Sequence, residues 1–331
     1  MIKRLFVGII VVSVALVALP PLWFVVFPVS PVADLPPAGR RVVLPSGVGI
    51  NVIEEGEGRP LLLVHGLPGS GYDWRGLVPE LADRGFRVIA MDRSGYGRSD
   101  VNPDGDFSLQ RNASDVVGVI RAMELEAVTL VGWSYGGATA SLVAAERPPE
   151  LARVVLIGTG GPDSDDALPP EADGLMRFLY SDPVLRWRTA VPPLGRGLIA
   201  VLSEQAYSGQ PMPDWWIPGV VKNFERWDTL VTYRGEMFGL DGGDEDIYAQ
   251  SAVPTLLLHG DDDRLAPIGI SRYLVSRIPD ATLVEFSGAS HMLPVTHAGA
   301  VADAIAAFIG PESVAPDAVL SEADPSPAGH D

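Results

Sequence analysis

The nine residues Thr129-Leu130-Val131-Gly132-Trp133-Ser134-Tyr135-Gly136-Gly137 restrict the fold of this chain more than any other stretch. Ala127 to Val131 is apolar, short and β-branched enough to read as a buried strand. Gly137 to Glu146 is a run of small residues that reads as a helix. Between them the pattern G-x-S-x-G leaves only hydrogen atoms two residues to either side of the serine. A turn that tight is strained. Its product is a hydroxyl standing clear of the backbone at a helix N-terminus, where partial positive charge favours a developing anion. The stretch therefore predicts a strand–turn–helix unit with Ser134 as nucleophile. A glycine-rich turn without chemistry would leave the partners described below unexplained.

With 331 residues, 47% of them hydrophobic, the chain can bury a large core. Its formal net charge of −18 argues against a nucleic-acid partner and against polybasic docking on anionic lipid. The absence of cysteine excludes disulfides, thiolate nucleophiles and cysteine-ligated metals.

Lys3 and Arg4 precede an uncharged stretch, Leu5 to Phe27, long enough to span a bilayer. A cleaved signal peptide usually has a shorter apolar region and a small-x-small site. Here the run continues through Pro20-Pro21, and Pro31-Val32-Ala33 matches such a site poorly. Residues 1–30 thus read as an uncleaved transmembrane helix and 31–39 as a tether. Lys3 and Arg4 favour a cytoplasmic N-terminus and an extracytoplasmic body, although Arg40 and Arg41 blunt the asymmetry.

From Arg40 the pattern is α/β. A hairpin (Arg41–Leu44, Ile50–Ile53) is followed by strands at 60–65, 86–92, 127–131, 154–157, 253–258 and 281–286. Helices fall between them at 71–85 and 108–125, and a terminal helix runs from Val295 to Ile309. Alternation of this kind predicts a mainly parallel eight-stranded sheet with helices on both faces, built from 40–160 and 247–310. Residues 161–246 break it as an insert of short helices and proline loops. The tail, 311–331, is acidic and poor in apolar residues, and reads as disordered.

A serine needs a base within reach. Of five histidines, His330 is in the tail, His65 opens a glycine loop, and His259 ends a strand. His291 follows the last strand at the carboxyl edge of the sheet, where Ser134 also lies, and is the expected base. His297 reads as a capping or surface residue. An aspartate to orient the imidazole is offered by Asp261, Asp262 or Asp263 in His259-Gly260-Asp261-Asp262-Asp263-Arg264-Leu265-Ala266-Pro267. A competing set is Asp163, Asp165 and Asp166, which read more simply as a solvated loop.

With these residues in hand the chain resembles the α/β-hydrolase superfamily. The likeness is greatest to the capped branch of serine esterases, carbon–carbon bond hydrolases, cofactor-free haloperoxidases and epoxide hydrolases, and it covers about residues 40 to 310. The resemblance implies an α/β-hydrolase fold with a helical cap over Ser134. The family's G-x-x-D acid loop, with its proline four residues on, selects Asp263. Its His-Gly-x-x-Gly loop, here His65-Gly66-Leu67-Pro68-Gly69, makes the Leu67 N–H one oxyanion donor, and the residue after the nucleophile, Tyr135, gives the other. Asp92 to Ser99 matches the family's D-x-x-G-x-G-x-S loop, with Ser94 where proline is usual, and is expected to be a structural brace.

Serine at the elbow disfavours the haloalkane dehalogenases and epoxide hydrolases, which use aspartate. Attack on an acyl carbon fits instead, with an ester or thioester as substrate, and an amide or a vinylogous 1,5-diketone as alternatives. A non-catalytic membrane-anchored scaffold is the reading from another class. No metal-ligand cluster or Gly-x-Gly-x-x-Gly loop is present in the sequence, so no cofactor is expected. The insert holds Trp187, Trp215, Trp216 and Trp227 with Met176, Phe178 and Tyr180. Adjacent residues cannot share one helix face, so Trp215 or Trp216 is expected to face the site and to favour an apolar acyl or aryl small-molecule substrate over a charged one.

The anchor is tested directly. Full-length protein should stay in membranes through an alkaline carbonate wash, whereas a version starting near Asp34 should be soluble and active. A mature N-terminus mapped to about residue 30 would show cleavage instead.

Overall fold

A computed structural model describes residues 39–159, 192–224, 226–238 and 250–310. The expected membrane helix, the acidic tail and the aspartates at 163, 165 and 166 lie outside the described residues. So do Trp187, Met176, Phe178 and Tyr180. Among the described residues no helix is long and apolar enough to cross a membrane.

The strands are β1 (Arg40–Val43), β2 (Gly49–Glu55), β3 (Arg59–Val64), β4 (Phe86–Met91), β5 (Val128–Trp133), β6 (Leu151–Ile157), β7 (Thr255–Gly260) and β8 (Ala281–Phe286). They form one sheet in the order β1-β2-β4-β3-β5-β6-β7-β8. β2 runs antiparallel to β1 and β4, and the other pairs are parallel. The β1–β2 turn closes at Gly47, whose φ of 86° suits glycine, with its N–H donating to Leu44 O at 2.8 Å.

Helices α1 (Leu77–Ala82), α2 (Leu109–Ala122), α3 (Tyr135–Glu146), α4 (Pro192–Tyr207), α5 (Trp216–Phe224), α6 (Trp227–Phe238), α7 (Gly269–Arg277), α8 (Leu293–Thr296) and α9 (Ala298–Ile309) follow in chain order. The period-two rule sorts the core into two layers. Leu62, Val64, Leu130, Leu156 and Leu257 pack with α2, α3 and α7. Leu61, Leu63, Val131, Val155 and Leu258 pack with α1 and α9 on the opposite face. Strands buried on both faces need continuous apolar runs, which is what Leu61–Val64 and Leu256–Leu258 supply.

Four elements differ from the sequence reading, one of them α7, a helix between β7 and β8 that it lacked. The helix expected over 71–85 is a 3-10 turn at Gly71–Gly76 followed by the short α1. The terminal helix is interrupted at His297, which stands at the N-cap position of α9 without a side-chain cap bond, so it begins as the separate turn α8. β7 extends to Gly260, which puts His259 inside the strand.

The described helices of the insert, α4 to α6, sit on the carboxyl-edge loops. Asn223 donates to Gly69 O at 3.0 Å, Thr229 to Gly95 O at 2.8 Å, Ser208 to Asp262 O at 2.7 Å and Gln210 to Gly288 O at 2.8 Å. Arg226 donates to Gly97 O. Trp216 continues the sheet's own core layer upward, packing on Trp133 with ring centroids 6.4 Å apart.

Candidate active site

The turn between β5 and α3 has the geometry that the glycines imply. Ser134 has φ 54° and ψ −121°, a conformation costly for a side chain with a Cβ, of order 1–3 kcal/mol. The surroundings leave no alternative. A Cβ on Gly132 would lie 2.2 Å from Gly136 O, one on Gly136 would lie 2.1 Å from Val64 O, and one on Gly137 would lie 2.4 Å from Thr159 Oγ1. Hydrogen bonds hold the turn from both sides. The Ser134 N–H donates to Ile157 O at 2.9 Å, and Ser134 O accepts from Gly137 N at 2.8 Å and Ala138 N at 3.2 Å. Tyr135 is the first residue of α3, so its N–H belongs to the helix end that favours negative charge.

β7 and β8 deliver the other two side chains at the same edge. His291 Nδ1 lies 2.7 Å from Asp263 Oδ2, with the aspartate carboxylate fully enclosed and His291 6% exposed. The pair sits against the turn. The His291 carbonyl accepts from Trp133 Nε1 at 3.0 Å, and the two rings lie 5.9 Å apart. Gly158, the next residue after the acceptor of the Ser134 N–H, has no Cβ to crowd the pair. That atom would lie 3.3 Å from Asp263 Oδ2 and 3.4 Å from His291 Nδ1. The residue before Ser134 thus touches His291, and the residue after the partner of its amide lies against the Asp263–His291 pair.

Asp263 is held at four points. Besides His291, it receives the N–H groups of Leu265 and Ala266 on Oδ1 at 2.9 and 2.8 Å, and His259 Nε2 lies 3.3 Å from Oδ2. Burial alone would raise its pKa. The hydrogen bonds of His259 and His291, the positive charge that His291 can carry, and the Ala266 N–H outweigh burial and hold the carboxyl well below the usual carboxylate range. It is therefore held as an anion at neutral pH. A carboxylate on Nδ1 keeps the proton there and leaves Nε2 free to accept one.

His259 is a part of this site that sequence reasoning missed. Its Nε2 lies between two acceptors, Asp263 and Ala266 O at 2.7 Å, and Nδ1 meets Ser271 Oγ at 2.7 Å. The network assigns the proton to Nε2 and makes the Ser271 hydroxyl the donor to Nδ1. The spacing of four residues from His259 to Asp263 across a strand end was the available signal. The neighbouring aspartates face elsewhere: Asp261 accepts from Gly288 N at 2.6 Å, and Asp262 pairs with Arg264 on the surface.

The Leu67 loop lies on the other side of Ser134. A Cβ on Gly66 would come within 3.0 Å of Ser134 Cβ, and Leu67 is the next residue, packed beneath Leu230 and Tyr233 of α6. His65 braces this loop. Its Nε2 accepts from Arg93 N at 3.0 Å and its Nδ1 donates to Gly66 O at 2.9 Å. Burial, then the Arg93 charge, pushes its pKa well below the ordinary value, so it stays neutral. His297 bonds Thr296 Oγ1 at 2.8 Å and rests edge-on against Phe286. The Asp92 loop is a brace: Asp92 accepts from Asn51 Nδ2, Gly71 N and Arg98 N at 2.8, 2.7 and 2.8 Å.

The two tryptophans diverge. Trp216 is buried, donates from Nε1 to Ser203 Oγ at 3.0 Å and packs on Trp133 beside Ser134. Trp215 is only partly buried. It turns towards Tyr72 and Arg75 and lines a cavity of about 220 Å³ between α5 and the Ser70–Asp73 turn.

The chain belongs to the alpha/beta hydrolase fold family, whose model matches residues 59–298. It is 29% identical over 280 residues to a 2-hydroxymuconate semialdehyde hydrolase of a Pseudomonas species, covering 83% of this chain and 94% of that one. It is 30% identical over 282 residues to a non-heme haloperoxidase of Rhodococcus erythropolis, covering 81% and 98%. Among solved structures, a thermophilic esterase of Thermogutta terrifontis superposes with a TM-score of 0.66 at 25% identity, covering 82% and 97%. These likenesses support a hydrolase.

Asp263→Asn should lower turnover by about 10⁴-fold, by analogy with the trypsin aspartate. Asp261→Asn and Asp262→Asn should be far milder, and steady-state kinetics on one soluble ester separates the three. Either neighbour proving the severe variant would contradict the role given to Asp263.

Proposed function

We propose that this protein is a serine hydrolase that cleaves a carboxylic ester or thioester through an acyl-enzyme. The observation that carries the reading is the Asp263–His291 pair at 2.7 Å, held against the turn that strains Ser134. Ser134 Oγ attacks the acyl carbon as His291 Nε2 takes its proton. The oxyanion that forms is met by the N–H groups of Leu67 and Tyr135, each such donor contributing about 3 kcal/mol to the transition state. Collapse expels the alcohol or thiol, which leaves with the proton from His291. Water, deprotonated by the same nitrogen, then cleaves the acyl-enzyme and releases the acid. Asp263 stabilises the imidazolium in both halves without itself taking a proton.

Carbon–carbon cleavage of a vinylogous diketone on the same triad is the second reading. The similarity to relatives named as 2-hydroxymuconate semialdehyde hydrolase favours keeping it. The apolar face that Trp216 and Trp133 form beside Ser134 supports an apolar acyl or aryl substrate. The N-terminal stretch Leu5 to Phe27 supports a single membrane span that holds the catalytic region outside the cytoplasm.

A fluorophosphonate should label Ser134, and Ser134→Ala should lose labelling and about 10⁶-fold in turnover while melting normally. Labelling that survives the substitution would refute the assignment; a hydrolysis series of p-nitrophenyl esters beside diketones tells the two readings apart. Trp216→Ala should shift chain-length preference on that series with labelling intact, and Trp215→Ala should do so less. Unchanged selectivity in both variants would make the pair structural.

A further inference from the structure

Behind the Leu67 loop lies a buried ionic cluster that the hydrolytic steps do not use. Arg93, 1% exposed, donates from Nε to His65 O at 3.2 Å and from Nη2 to Gly66 O at 3.1 Å. Its Nη1 reaches Asn112 Oδ1 at 3.0 Å, and its guanidinium carbon lies 4.5 Å from the centre of the Tyr135 ring. One residue of the insert answers its charge. Glu236 on α6, also 1% exposed, accepts from Arg93 Nη1 and Nη2 at 2.5 and 3.2 Å, from the Tyr96 hydroxyl at 2.5 Å and from Asn112 Nδ2 at 3.0 Å.

One acceptor of the Arg93 fork is the carbonyl of the Gly66–Leu67 peptide. That peptide is trans, so its C=O and N–H point in opposite directions. Gly66 O is drawn towards two donors, Arg93 Nη2 and His65 Nδ1, and the Leu67 N–H is thereby turned away from the cluster. A charged donor on the carbonyl also polarises the peptide and strengthens its N–H as a donor. The same guanidinium rests on Tyr135, the other oxyanion residue.

We propose that Arg93 is the positioning residue of the oxyanion site and that Glu236 sets it from the insert, so that seating α6 and aiming the Leu67 N–H are one event. The proposal rests on the hydrolytic reading above. It assigns work to a side chain that touches neither substrate nor the reacting atoms. A lysine cannot reproduce the fork, because a single ammonium cannot span two carbonyls and a carboxylate at once.

The test compares Arg93→Lys and Glu236→Gln with wild type on a short p-nitrophenyl ester, beside inhibition by phenylboronic acid, which binds serine as a tetrahedral anion. Both variants should lose about 10- to 100-fold in kcat with KM within about twofold, since a displaced group costs up to about 10²-fold. Boronate affinity should weaken by the same factor as kcat. If the lysine variant fails to fold, Glu236→Gln carries the test, as it keeps the shape and removes only the charge. Unchanged kcat, or a change confined to KM with boronate affinity intact, would overturn the positioning role and leave the hydrolase standing. A wild-type protein neither labelled by fluorophosphonate nor inhibited by boronate would remove the hydrolytic reading, and this proposal with it.

Discussion

The backbone of Ser134 is the constraint on which the rest depends. A non-glycine residue at φ 54° is unfavourable on its own and persists only when its neighbours over-determine it. Here they do so by closeness. Gly132 and Gly136 let the turn fold on itself, Val64 O and Thr159 leave no room for a Cβ, and Ile157 O fixes the amide. Val64 is in β3, Gly132 in β5, and Ile157 and Thr159 in β6 and the loop after it, with Gly136 in the first turn of α3. The parallel sheet is therefore the clamp, and the strain is stored where β5 leaves it.

Parallel pairing also explains why the partners arrive at the same place. β7 and β8 run with β5 and β6, so the loops bearing Asp263 and His291 open at the edge where Ser134 stands. Electrostatics then decides the states. Asp263 is enclosed, and enclosure favours a neutral acid, yet two imidazoles and two backbone N–H groups keep it anionic. An anion so supported can hold the His291 tautomer without competing for its proton.

The insert is attached by more than apolar packing. Trp216 extends one core layer, while Asn223, Thr229, Arg226 and Gln210 bond to loop carbonyls of the core. Beneath them the Arg93–Glu236 pair is fully desolvated. Such a pair is weak evidence for stability, because desolvation offsets most of the attraction. Removing one partner is costly, about 3–5 kcal/mol, because the other is left as a buried charge. That asymmetry suits a contact whose value is in fixing geometry rather than in adding stability.

Legible in the sequence by itself were the order of the eight strands, the elbow, the acid loop and the histidine after the last strand. The first and second are local or periodic signals, since Gly132 and Gly136 declare a tight turn and alternating runs declare strands, whereas Asp263 is chosen from three aspartates by the resemblance to the family's acid loop. Tertiary structure decided what depends on separation in space. His259 looked like the end of a strand until β7 placed it beside Asp263. Arg93 looked like one residue of a brace until α6, 143 residues away along the chain, brought Glu236 to it. The interruption at His297 was only half legible: the sequence offered His297 as a capping residue, but not the separate turn before it. Charge pairing across such a distance leaves no pattern in a single sequence, because any Arg and any Glu can pair once the fold encloses them.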